Sequence, residues 1–132
     1  MCLTVGCFRT RQEARDAREP KIAKKAITVY KVLQKNNESP YQNTKYKEGV
    51  EIVTEKFSFV IEQYGYGNSK WHLEVEQGLH AMATELDAKK KRRELNDGES
   101  RHKIVEMIIP AGTPYFYNHN NTEIVSLKLN WK

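Results

Sequence analysis

The sequence predicts an α+β domain: a mainly antiparallel sheet, one packed helix and a short N-terminal helical arm. Three observations carry this reading. Short runs of β-branched and aromatic residues recur along the chain, separated by Gly, Pro and Asn turns. Only residues 84–95 combine a cap, a length and a stop that suit a stable helix. The chain has 132 residues, the size of a single domain. Residues 1–24 read as a basic arm and residues 25–132 as the domain itself.

The first ten residues, MCLTVGCFRT, are mildly apolar and suit a short strand. Thr10 and Glu13 have the spacing of a capping box, and Pro20 stops the two turns that follow. Two turns are marginal alone in water, and Cys2, Leu3, Val5, Cys7 and Phe8 need cover. A second copy of the chain could supply it, so a homo-oligomer is expected. Residues 27–33 (ITVYKVL) read as a buried strand, 34–40 as a turn cluster and 41–49 as loop. Residues 50–53 and 57–60 read as half-buried antiparallel strands, 64–69 as a turn, and 71–77 as an alternating strand.

Thr84 is the expected N-cap of the helix, with Asp87 at the third position and Asn96-Asp97-Gly98 as its stop. Acid near its start and base near its end suit the helix dipole. Residues 104–109 form a second buried strand, 110–114 a turn, 115–117 an aromatic strand and 118–122 a polar loop. Residues 124–131 alternate throughout and read as one final strand.

Lys and Arg number 22 against 17 Asp and Glu, a formal charge of +5 that favours anionic partners. Two cysteines are too few for a disulfide scaffold, so a reduced, cytoplasmic setting is expected. No apolar run approaches the ~18 residues of a membrane span. An integral membrane protein, a collagen-like fibre and a cystine-knot hormone are excluded on these grounds.

Several constellations could carry chemistry. The basic block at 89–93 (KKKRR) could hold phosphates or simply solvate a helix end. Tyr64 and Tyr66, flanked by glycines, are an imperfect version of a single-strand stacking platform. No helix-turn-helix, zinc-finger or RNP-like pattern accompanies them, which makes nucleic acid a secondary expectation. His72, His80, His102 and His119 share no metal-ligand spacing, and no serine sits in a nucleophile elbow. No metal and no cofactor are therefore expected. Glu74 and Glu76 share one strand face and could work as an acid/base pair, or merely face solvent. With Lys31 and Phe57-Ser58-Phe59 upstream, they are loosely similar to the E-x-E pattern of arginine-directed ADP-ribosyltransferases. The serine motif is broken and Lys31 stands where that family has arginine. An enzyme using Glu74 and Glu76 is the alternative reading.

Three segments together carry a broader resemblance: VYKVL (29–33) followed by SPY (39–41), GLHA (78–81) opening a helix, and IIPAGTPY (108–115) closed by EIVS (123–126). This order resembles a group of small bacteriophage and bacterial proteins. More loosely, size and layout resemble phage anti-defence sponges such as the first Thoeris anti-defence family. That resemblance implies an oligomer that sequesters a cyclic nucleotide or cyclic ADP-ribose signal without cleaving it.

A sponge of this kind needs cations for phosphate, aromatic faces for the base and amides for polar edges. The expected site lies where the strand end at Gly78-Leu79-His80 meets the helix, near the tyrosines after Pro114. His80 would line it, Thr84 and the amides behind it would hold a phosphate, and Arg92 or Arg93 would reach in from a neighbouring chain. Tyr115 or Tyr117 would stack on the base, with Asn118 in the adjoining loop. Alternation puts Tyr115 and Tyr117 on one strand face and Phe116 on the other.

Overall fold

The computed structural model describes residues 3–38, 45–64, 70–95 and 102–131. Cys2 and the turns expected at 65–69 and 96–98 lie outside them, as does the SPY segment. In chain order the elements are β1 (Leu3–Phe8), α1 (Arg11–Asp16), β2 (Lys21–Ile22), β3 (Ile27–Gln34), β4 (Glu51–Val53), β5 (Ser58–Tyr64) and β6 (Lys70–Gln77). There follow β7 (Leu79–Met82), α2 (Glu85–Leu95), β8 (His102–Ile109), β9 (Pro114–Tyr117), β10 (Glu123–Ser126) and β11 (Lys128–Trp131). The fold is α+β and mostly antiparallel, as the sequence predicts.

The strands form two sheets. A small one has the order β1-β6-β5, and a large one of eight strands has the order β2-β9-β10-β7-β3-β8-β11-β4. Its longest ladder joins β3 to β8, where Ile27 faces Ile109 and Gln34 faces His102. Val29, Leu33, Leu79, Ala81, Met107, Ile109, Ile124 and Leu129 point to one side of the large sheet and form the main core. They come from β3, β7, β8, β10 and β11, so the sheet curls around its own core.

The opposite side carries the small sheet. Phe116 and Val125, one residue out of phase with the main-core positions, pack there against Leu3 and Val75. Phe57 and Phe59 meet the Phe116 ring edge-on, at centroid distances of 5.0 and 5.5 Å. The buried Phe116 ring contributes roughly 1.5–3 kcal/mol, and the edge-to-face contacts add to it.

The chain passes between the sheets at Gly78. Gln77 ends β6 in one sheet and Leu79 opens β7 in the other. Gly78 is buried at φ +154°, and a Cβ placed there would lie 2.4 Å from Val125 Cγ2 and 3.2 Å from the Phe57 ring. Only a residue without a side chain lets the sheets approach this closely.

Three expectations need revising. The segment read as an arm is built into the fold. β1 pairs with β6, Leu3 is fully buried, and β2 pairs with β9. Leu3 is buried and Val5 and Phe8 are half-buried within the chain, whereas Cys7 stays exposed. The run at 124–131 is two strands rather than one. At Ser126 the hydroxyl turns to donate to Lys128 O (2.9 Å), the Leu127 N–H donates to Pro114 O (3.3 Å), and the faces exchange. Ile124 and Leu129, an odd number of residues apart, therefore both enter the main core. Gly78-Leu79-His80, expected as the end of a strand, instead opens a separate one, β7, because Gly78 redirects the chain.

Both helix caps form as read. Thr10 Oγ1 accepts from Glu13 N at 3.1 Å, while the Glu13 carboxylate accepts from Arg9 N (3.4 Å) instead of from the Thr10 amide. Thr84 Oγ1 accepts from Asp87 N at 3.1 Å and donates to the Asp87 carboxylate at 2.7 Å.

Candidate functional site

Two adjoining clefts lie along β9. One, of about 350 Å³, is lined by Val5, Glu19, Lys21, Tyr115, Tyr117, Asn118 and His119 among others. The second, a wider groove of about 750 Å³, is lined by Lys21, Lys24, Lys25, Thr28 and Tyr115. Lys21 and Tyr115 line both, so the two clefts adjoin at that pair in a trough that presents lysines and tyrosines.

The sequence builds this trough by a mismatch of strand lengths. β2 has only two residues and pairs with β9 at Pro114 and Tyr115. Beyond them the edge of β9 has no strand neighbour among the described residues, and the smaller cleft is lined by Tyr115, Phe116 and Tyr117 along it. Such an edge offers backbone N–H and C=O groups to whatever enters. The β9–β10 hairpin closes the far end. The Asn118 carbonyl oxygen accepts from Thr122 N (2.8 Å) and Glu123 N (3.1 Å), its amide donates to Thr122 Oγ1 (2.9 Å), and Asn121 takes the left-handed conformation at φ 56°. The His119 N–H donates to Thr4 O at 3.1 Å and pins the hairpin to β1.

Tyr115 and Tyr117 stand at right angles, with centroids 5.6 Å apart and an interplanar angle of 89°. Both are half-buried and packed on the main core, while Phe116 faces the second core, so the alternation read from the sequence holds. Burial, and then the neighbouring Tyr115, raise the Tyr117 hydroxyl above the usual phenol range, so it is a neutral donor at physiological pH.

Tyr115, Tyr117 and Asn118 are thus brought together, although the Asn118 amide is committed to the hairpin. Within one chain, His80, Thr84, Arg92 and Arg93 lie apart from them. His80 lies on β7, buried at 7% exposure, with the Glu76 backbone beside its ring. Thr84 caps α2, and its hydroxyl is already committed: it accepts from the Asp87 amide and donates to the Asp87 carboxylate. Arg92 lines a separate cleft of about 490 Å³ with Tyr30, Lys89, His102 and Lys103 between α2 and the β3–β8 ladder. Arg93 is exposed on α2. The helix and the tyrosines were expected to meet at one junction, but β10 lies between β7 and β9 and separates them.

The alternative constellation is dispersed too. Lys31 is buried in the large sheet, whereas Glu74 and Glu76 sit on β6 with their side chains on the face opposite Val75, away from the two-sheet core. Lys31 has a structural task instead. β3 and β7 pair only at Tyr30 and Met82, and beside that point the Lys31 ammonium donates to the His80 carbonyl and lies 5.6 Å above the Tyr46 ring. Burial pulls its pKa down to about 8, opposed by the Glu123 carboxylate.

Sequence reasoning missed Lys21, Lys24, Lys25 and His119. Nothing in residues 18–25 except their charge distinguishes them from a solvated linker. Among the described residues no group of three or more His, Cys, Asp or Glu side chains is placed to hold a metal ion. No protein-family model, curated protein or solved structure matches the chain.

Proposed function

We propose that the protein binds and sequesters, without turning it over, a phosphorylated nucleotide-derived signal of the cyclic nucleotide or cyclic ADP-ribose type. The observation that supports this reading is the trough along β9, where two tyrosines, an open strand edge and three lysines converge. Lys21, Lys24 and Lys25 supply cations for phosphate, Tyr115 a ring face for the base, and the β9 edge a pattern of donors and acceptors. Glu19 at the opposite wall suits a ribose hydroxyl. This chemistry is that of the anti-defence sponges the sequence resembles.

Titration calorimetry with cyclic ADP-ribose, ADP-ribose and a cyclic dinucleotide tests it. At least one should bind, and Tyr115→Ala should weaken that ligand about tenfold or more, since base stacking is worth ~1–3 kcal/mol. Tyr115→Phe should retain binding, which separates loss of a ring from loss of a hydroxyl. Ligand released by heat should be chemically intact by chromatography. Recovery of nicotinamide or a hydrolysed product would instead mean turnover, and failure of all three ligands to bind the folded protein would remove the reading.

A further inference from the structure

A second chemistry-bearing group lies on the outer face of the small sheet, independent of the trough. Cys7 on β1 faces His72 on β6, and Cys7 Sγ lies 3.4 Å from His72 Nε2, although the residues are 65 apart in sequence. Glu62 on β5 faces His72 from the other side, so a thiol, an imidazole and a carboxylate form one row across three strands. Cys7 is a free thiol and exposed.

The backbone arranges this meeting. Strict alternation from the buried Leu3 would send Val5 and Cys7 inward with it. Instead the β1–β6 register shifts between Thr4 and Gly6, a bulge that uses one extra residue on β1. After it Cys7 lies outside opposite His72, and Phe8 pairs with Trp71. Leu73 and Val75, which alternate with His72 and Glu74 on β6, are fully buried on the other face. A bulge that re-aims one side chain onto a base 3.4 Å away is a feature of reactive sites.

We infer that Cys7 is a reactive thiol assisted by His72 and a site of S-thiolation by small-molecule disulfides. With its proton on Nδ1, the His72 ring accepts the thiol proton at Nε2. The Cys7 thiolate then attacks one sulfur of the disulfide. A new S–S bond joins Cys7 to that sulfur while the original S–S bond breaks, and the departing thiolate takes the proton from His72. One protein thiol and one disulfide give one mixed disulfide and one free thiol. Glu62 supplies negative charge at cross-strand distance to the transient imidazolium. Exposure on an open sheet face gives the disulfide access.

The test uses the full chain with Cys2→Ser, so that Cys7 is the one thiol, and follows release of the coloured thiolate from an aromatic disulfide. At pH 7 Cys7 should react at least fivefold faster than N-acetylcysteine under the same conditions. Adding His72→Gln should bring the rate down to that of the free thiol and change its dependence on pH. Glutathione disulfide should give a single added glutathione by intact mass, located on Cys7. A Cys7 no faster than N-acetylcysteine overturns the inference, whether or not the His72 variant folds. An unchanged rate and pH profile in folded His72→Gln overturns the role of His72 and the inference with it.

Discussion

Gly78→Ala is expected to destabilise the fold by about 3 kcal/mol or more, among the largest effects of any single methyl group in this chain. The new Cβ would arrive 2.4 Å from Val125 Cγ2 and 3.2 Å from the Phe57 ring. Neither neighbour can retreat easily. Val125 is fully buried in the two-sheet core, and Phe57 stands against the Phe116 ring. The backbone adds its own cost, because φ +154° is a conformation that side chains disfavour. Gly49 provides the control: its φ is +77°, and a Cβ there meets nothing within 4 Å. Gly49→Ala should therefore cost only the ~1–2 kcal/mol of a left-handed alanine. Urea unfolding at neutral pH should show a lower midpoint for Gly78→Ala at an unchanged slope. If the two alanine variants are equally stable, the close approach of the sheets at Gly78 is refuted.

The second large effect is sensitivity to acid. Burial first, and then the Lys31 ammonium, hold the His80 imidazole at a pKa of about 3 against 6.5 for an ordinary histidine. In the unfolded chain His80 takes up a proton as pH falls through 6.5, while in the folded chain it stays neutral down to about 3. The unfolded state then binds more protons, so stability is fully present above 6.5 and is lost progressively below it. At ~1.36 kcal/mol per pH unit, the loss is roughly 2 kcal/mol by pH 5. His80→Leu removes the group and should flatten this part of the profile. Glu123 acts in the opposite direction. Burial raises its pKa, so it protonates earlier in the folded state than in the unfolded one, and this contribution is common to both proteins. Unfolding free energies at pH 7, 6 and 5 check the difference. Parallel profiles for the two proteins would show that His80 does not titrate in this window.

How far the fold could be read from the sequence depended on how local its cause was. The β-branched run at 27–33 and the strand at 104–109 carry their own propensity, and they form the longest ladder. Thr10 and Thr84 cap helices through atoms three residues away, and both caps are visible in sequence spacing. Tyr115 and Tyr117 could be separated from Phe116 because strand alternation is local. The features that escaped are those set by distant packing. The bulge that turns Cys7 outward depends on what β6 presents, and the break at Ser126 depends on Pro114 and Lys128. The expected junction site failed for a topological reason, since sequence order gave no sign that β10 would lie between β7 and the tyrosines. Lys21 entered the site only because a two-residue strand docks beside Tyr115.

The seam between β3 and β7 bears on how quickly this chain can fold. The large sheet is two four-stranded halves, β2-β9-β10-β7 and β3-β8-β11-β4, that meet across one backbone pairing and the Lys31 ammonium. Each half draws strands from both ends of the chain, and the lysine and the carbonyl that join them are 49 residues apart. Loop-closure entropy must be met at nearly every ladder before the buried contacts return any stabilisation. Such a topology belongs with the slow folders of milliseconds to seconds, not with helical bundles of similar length. Among the described residues β4 ends the large sheet, and the charge of Glu51 on that strand opposes pairing with another chain before the sheet is complete.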